Sequence, residues 1–232
     1  MLSFRYRSYQ KELLDGEGIP FPAIRQNMAE LDTINHLLGG HRITLRGLKS
    51  IIGKEKDKPW RIVEIGCGGG DNLRVIQKWA RANRIKVELV GVDVNKECIA
   101  YAQSVLPISR IQFLVSDYRD VKFDRVPDVI FSSLFSHHFT NAVLIDQLKW
   151  MYSNSQRGFF INDLHRHPLA YYSIKTLTRL FSKSYLVKND APLSVLRGFR
   201  QAEWQQLCKR AGIAGVSVLW CWAFRWLIIC KK

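Results

Sequence analysis

Four glycines in five positions, Gly66, Gly68, Gly69 and Gly70, follow a branched apolar run that contains Glu64, and Asp71 comes directly after them. A backbone that bare lets a ligand approach the chain closely. The usual tenant of such a turn is a pyrophosphate, held by the pattern G-x-G-x-x-G at the start of a helix. Here Gly66 and Gly68 fill the first two positions and Asp71 stands at the third. Two carboxylates at the mouth of the loop repel phosphate and attract a cation. The loop therefore suits a nucleoside with a positively charged tail.

A second set of chemistry-bearing residues lies further along. His137 and His138 follow "SSLF" (Ser132 to Phe135), and Asn162 and Asp163 close another apolar run. A neutral imidazole can take the proton of a phenol or enol, and a carboxylate can orient that imidazole or hold a substrate hydroxyl. Each residue also has a plainer reading. A histidine can pack beneath the loop or cap the next helix, and Asp163 can cap the helix that starts near Pro168. His165 and His167 form an H-x-H with no third ligand in reach, so no metal is assigned to them. None of the five cysteines looks like a nucleophile.

The elements that position these residues can be read from periodicity. Arg61–Ile65 is a short apolar run ending at glycines, hence a buried strand. Asn72–Asn83 repeats its apolar residues at helical spacing. Strands and helices then alternate: "KVELVGVDV", "KECIAYAQSVL", "IQFLVSD", "DVIFSS", "NAVLIDQLKWMY" and "GFFIND". That alternation implies right-handed crossovers and a parallel sheet covered on both faces. "QAEWQQLCKRAG" is a further helix, and "VSVLWCW" and "FRWLIICKK" are two strands joined by a tight turn, an antiparallel pair at the sheet edge. Residues 1–58 read as helical, with a breaker at Gly39-Gly40 and a polar linker at 53–59.

Bulk properties bound the rest. The chain of 232 residues is 47% hydrophobic, enough for one large domain with a core. A net charge of +15 points to an acidic partner (nucleic acid, an anionic membrane surface or an anionic substrate) or serves only solubility. Cys67, Cys98, Cys208, Cys221 and Cys230 show no paired spacing and read as free thiols of a reducing cytosol. The start of the chain has no apolar core of signal-peptide type, and the most apolar stretch is too short and too interrupted to span a bilayer. A cytoplasmic protein, in peripheral contact with a membrane at most, is expected.

From about Trp60 to the C-terminus, these motifs resemble the class I S-adenosylmethionine-dependent methyltransferases, in the branch that methylates quinone-like, phenolic or polyketide acceptors. The resemblance implies an α/β, Rossmann-like, doubly wound sheet of seven mostly parallel strands with an antiparallel C-terminal pair. Residues 1–58 would be a helical N-terminal cap, 59–232 the methyltransferase domain, and about 166–200 a lid insertion. The cofactor would be S-adenosylmethionine, with S-adenosylhomocysteine as product. Glu64, Gly66, Cys67, Gly68 and Gly70 would form its loop, and Asp93 would accept both ribose hydroxyls, as a carboxylate can. Asp117 matches the residue that meets the adenine amino group, Tyr118 or Val94 would pack on the adenine face, and Ser132 and Ser133 would border the cofactor. Asn35, Gly39, Gly40 and His41 would lie near its methionine end.

The acceptor side is read from the segment after the fourth strand. The pattern [DN]-PP-[YF], which holds a planar amino group in enzymes that methylate bases or glutamine, is absent. That weighs against a nucleic-acid acceptor and leaves His137, His138 and Asp163 as the catalytic candidates. Phe135, Tyr171, Tyr172 and Arg197 are the substrate-binding candidates, and the expected reaction is in-line transfer to oxygen or carbon without a metal. The alternatives are an RNA or protein methyltransferase and a catalytically silent binding protein of the same fold. In the insertion, Tyr171, Ile174, Leu177, Leu180 and Phe181 share one helical face, and Lys175, Arg179 and Lys183 another. Such a helix packs on the domain, forms a lid, or lies on an anionic membrane.

Overall fold

The computed structural model describes residues 3–16, 18–55, 58–106 and 111–232. Two residues of the predicted linker, Lys56 and Asp57, lie outside them. Seven strands form one sheet: β1 (Trp60–Ile65), β2 (Val87–Asp93), β3 (Ile111–Val115), β4 (Val129–Ser133), β5 (Gly158–Leu164), β6 (Ser217–Cys221) and β7 (Arg225–Lys231). Their order is β3-β2-β1-β4-β5-β7-β6. Only β7 runs against the others, pairing antiparallel with β5 and with β6. The expected tight hairpin is therefore present, with its second strand inserted beside β5 and its first strand at the edge.

The helices are α1 (Phe21–Leu37), α2 (Gly40–Ile52), α3 (Asp71–Ala82), α4 (Lys96–Val105), α5 (Asn141–Asn154), α6 (Pro168–Phe181), α7 (Tyr185–Arg197) and α8 (Gln201–Arg210). None among the described residues is long and apolar enough to cross a membrane. Their starts follow local chemistry. Asn95 caps α4 by accepting from the amides of Glu97 and Cys98. Pro168 opens α6, where a missing N–H costs nothing, and the cap is His167, not Asp163.

The central strands β1, β4, β5 and β7 are buried on both faces, so they read as near-continuous apolar runs. One core, with α5 and α8, gathers Val63, Ile130, Phe159, Trp204 and Ile228. The opposite core, with α2 and α3, gathers Ile62, Leu73, Phe131, Phe160 and Leu227. Each such side chain contributes roughly 1.5–3 kcal/mol when fully buried. Phe131 and Phe160 stack with centroids 4.8 Å apart. Gly47 of α2 has no side chain because the Phe160 ring occupies that space. That contact seats α2 on the sheet as one of its covering helices.

The insertion is two helices. On α6 Tyr171 and Thr178 are buried and Ile174 half-buried, whereas Leu177, Leu180 and Phe181 of the expected apolar face are exposed. The helix turns Ala170, Tyr171, Ile174 and Thr178 inward because α7 approaches there, with Val195 and Leu196 packed on Ala170 and Tyr171.

An extended N-terminal segment crosses the domain without a strand partner. Arginines hold it instead. Arg166, fully buried, donates to the carbonyls of Phe4, Arg5 and Gly198 and to Glu203. Arg7 donates to Arg197 O, His137 O, Phe139 O and the Asn141 side chain. Part of the positive charge is thus internal scaffolding and faces no partner.

Candidate active site

The glycine loop connects β1 to α3 at the carboxyl end of the sheet, beside the point where strand order reverses between β1 and β4. Gly66, Gly68 and Gly70 all have positive φ, at 68°, 49° and 72°. A side chain on Gly66 would meet the Phe135 ring at 2.1 Å. Phe135, expected at the acceptor, thus lies over the loop and joins it to the histidine turn. Cys67 is buried and lends only its backbone, donating to Val92 O.

Carboxylates surround this loop. Asp93 accepts from Gly68 N at 2.8 Å and Asn95 N at 2.9 Å, one bond to each oxygen. Each oxygen keeps a lone pair for a hydroxyl. Glu64 takes one bond from Asn72 at 3.0 Å, while its Oε2 is buried without a partner. Burial, then the neighbouring Asp71, push Glu64 well above the usual carboxylate range. A cation at Oε2 would satisfy that oxygen and reverse the shift. Ser132 Oγ is also buried and unpartnered, and Ser133 Oγ accepts from Asn162. The residues fit a nucleoside with a cationic tail.

Asp71 organises the far side of the loop. Burial opposes its charge, but His41 at 2.8 Å and Asn35 at 3.0 Å hold it below the usual range. Arg225, buried and depressed by burial to about 10, donates to Asn35 Oδ1 at 2.9 Å. Asn35, Gly40 and His41 thus gather at the expected end of the site.

Two adenine-side expectations are corrected. Asp117 accepts from Arg119 through both oxygens, at 3.0 and 2.6 Å, and caps its own turn. An adenine amino group would have to compete with that bidentate pair. Tyr118 is 6% exposed and packs edge-on against Trp150, so it belongs to the core, whereas Val94 is exposed beside Asp93.

The histidines sit on a short 3-10 turn, Ser136–His138, after β4. Asp163, fully buried on β5, accepts from His137 Nδ1 at 2.8 Å and His137 N at 3.1 Å. Burial works against charge on His137, but Asp163 and Glu12 outweigh it and push it up to about 9. The sequence suggests a neutral imidazole; the two carboxylates instead favour the protonated ring. The reciprocal effect keeps Asp163 below the usual range despite burial.

Arg197, expected to bind substrate, is only 4% exposed. It donates to the carbonyls of His137, His138 and Gln10 and to Asp15. It spends four of its five N–H donors shaping the histidine turn and the N-terminal segment. Tyr171 is buried in the α6–α7 cluster and Tyr172 lies on the surface at 54% exposure, so neither joins the histidines. Residues not singled out from sequence complete the turn: Arg7, Glu12 and Asp15. Glu12 and Asp15 are acidic residues three apart in a basic chain, the one local signal that marked them.

Known proteins share this fold. Residues 62–158 match the family model described as "Methyltransferase domain". The plantazolicin methyltransferase BpumL, in complex with a monoazolic desmethylPZN analogue and SAH, is 20% identical over 86% of this chain and 72% of its own, with a TM-score of 0.60. Human N-acetylserotonin methyltransferase, in complex with SAM, is 16% identical over 92% of this chain and 56% of its own, with a TM-score of 0.63. Magnesium protoporphyrin IX methyltransferase from Synechocystis, with bound SAM, is 11% identical over 95% and 88%, with a TM-score of 0.56. Sheet order, glycine loop and matched segment agree, and the chain has the Rossmann-like fold of these class I methyltransferases.

Proposed function

We propose that the protein transfers a methyl group from S-adenosylmethionine to an oxygen or carbon of a small aromatic or lipophilic acceptor. When bound, the cofactor supplies an electrophilic methyl on a sulfonium. Glu64 Oε2 and Asp71 would face its cationic tail, and Asp93 its ribose. The observation that carries the acceptor reading is the buried His137–Asp163 pair beside Phe135 and Phe139, whose rings meet edge-on at 4.8 Å. An apolar wall next to a fixed imidazole excludes water and orients a flat nucleophile, and positioning of this kind supplies most of the catalysis. His137 and His138 would contact the acceptor, with Asp163 holding the ring.

A peripheral membrane contact finds support on α6. Leu169, Tyr172, Leu180 and Phe181 are exposed there, and Lys175 and Arg179 border them. A lipophilic acceptor would be reached from that surface.

Calorimetry with S-adenosylmethionine and S-adenosylhomocysteine, with and without RNA and anionic vesicles, tests the reading. Micromolar cofactor binding indifferent to RNA, with turnover on a phenolic, quinone-like or polyketide panel, is the expected outcome. Cofactor binding that requires RNA would favour the nucleic-acid alternative, and no cofactor binding would leave a binding protein.

A further inference from the structure

Three donors converge at the histidine turn. His137 Nε2 is 3.5 Å from Glu12 Oε1, and His138 Nε2 is 3.8 Å from Glu12 Oε2. One ligand atom from each of the three residues lies within 4.8 Å of the others. Two donors bound to one ion at about 2.1 Å and the tetrahedral angle stand about 3.4 Å apart. Small side-chain shifts therefore bring all three into reach of one ion.

The surroundings match what such ligands need. A metal-binding imidazole gives its other nitrogen to a carboxylate, which fixes the ring. His137 Nδ1 meets Asp163 at 2.8 Å and His138 Nδ1 meets Asp15 at 3.0 Å. Both Nε2 atoms are thereby aimed at Glu12. Glu12 is itself held by Ser194, whose hydroxyl donates to Oε1 at 2.7 Å. Arg197 lies 3.9 Å from that oxygen, but its donors go to the His137, His138 and Gln10 carbonyls and to Asp15.

We propose that Glu12, His137 and His138 bind one divalent first-row transition-metal ion, with Asp163, Asp15 and Ser194 as the groups that orient them. Two imidazoles and one carboxylate select zinc, iron or manganese over magnesium. Three protein donors leave a position open for an oxygen ligand. An ion bound there would hold and polarise an acceptor oxygen. This use rests on the methyl-transfer reading, whereas binding of the ion does not. A second cluster, Asp32, His41 and Asp71, lacks the same support. His41 spends Nε2 on Asp71, its Nδ1 has no partner, and Asp32 is paired with Arg74.

The test uses the full chain stripped with chelator, without cofactor or acceptor. Equilibrium dialysis with Zn2+ and Mn2+ should give one ion per chain, undisturbed by excess Mg2+. Co2+ should give visible bands of a nitrogen–oxygen site. Glu12→Gln and His138→Ala should each weaken Zn2+ binding at least tenfold, and Asp15→Asn by about tenfold. His41→Ala and His165→Ala should leave it unchanged. Absence of stoichiometric binding by the native chain would overturn the proposal, as would binding insensitive to Glu12→Gln and His138→Ala or lost in His41→Ala or His165→Ala. A chain that binds the ion but methylates nothing would overturn only the methyl-transfer reading.

Discussion

His41 and His137 each sit 2.8 Å from an aspartate on the same edge of the sheet, yet they are built into different surroundings. His41 meets Asp71 at the mouth of the glycine loop, where Asn35 and Arg225 extend the network toward β7. Every member comes from elements that surround the loop or, for Arg225, from β7. His137 instead lies between Asp163 of β5 and Glu12 of the N-terminal segment, sealed by Arg7 and Arg197. In the function proposed above, one cluster prepares a cationic ligand's seat. The other fixes imidazoles beside an aromatic wall. The difference predicts that substitutions in the first change cofactor affinity and those in the second change turnover.

The largest separation should come from Asp163→Asn. Loss of the charge that orients His137 should lower turnover at saturating cofactor by about 10³-fold, within the range for positioned acid–base groups. Cofactor affinity, read by calorimetry, should stay within a factor of two or so of the parent. Equal losses in both would erase the distinction between the clusters.

Arginines set the next contrast. Arg197→Met removes four buried or part-buried hydrogen bonds to the histidine turn and its neighbours, and should destabilise the chain by about 3 kcal/mol in denaturant titration. Arg74→Met breaks an ion pair with Asp32 on an arginine whose side chain is 41% exposed, and should cost less than about 1 kcal/mol. Similar values for the two would mean that the histidine turn does not depend on its guanidinium.

Asp71→Asn should act on the other cluster. It keeps the size of the side chain and removes the charge opposite a cationic ligand, so S-adenosylmethionine should bind about tenfold more weakly, with kcat retained. A fall in kcat at unchanged affinity would place Asp71 with the acceptor chemistry and merge the clusters.

The cofactor side is legible in sequence because its residues lie close together along the chain. Glu64, the glycines, Asp71 and Asp93 flank two successive strands, and the strand–turn–helix pattern places them without long-range information. Asp117 and Tyr118 mislead because sequence puts their backbone at the right edge and cannot show where the side chains turn. Arg119, two residues on, captures Asp117, and Trp150 of α5 captures Tyr118. On the acceptor side His137, His138 and Asp163 are visible as strand-end residues. Their partners are not, because Glu12 and Asp15 come from more than 120 positions away in sequence. Arg197 shows the same limit: its type suggests a ligand, whereas only the fold reveals that backbone carbonyls use its donors. The exposed face of α6 differs for a related reason, since α7 packs against Ala170 and Tyr171 and leaves Leu177, Leu180 and Phe181 outside.

The last contrast is a pH effect on stability, measured in chelator so that no ion competes. Asp163 and Glu12 push His137 from an ordinary value near 6.5 up to about 9 in the folded chain. Its folded value is raised, so the stabilisation is fully present below about 6.5 and is lost as pH rises through about 9. Between those limits the folded state binds more protons than the unfolded one, and the denaturant midpoint should fall as pH rises. Glu12→Gln removes one of the two carboxylates facing the ring and should make that decline shallower. His41→Ala, at the other cluster, should leave the slope over this window as it is. If the native chain keeps a flat midpoint from pH 6.5 to 9, Asp163 and Glu12 do not hold a proton on His137 in solution. The N-terminal segment would then rest on its arginines and on Asp190, which accepts from the Leu13 and Leu14 amides.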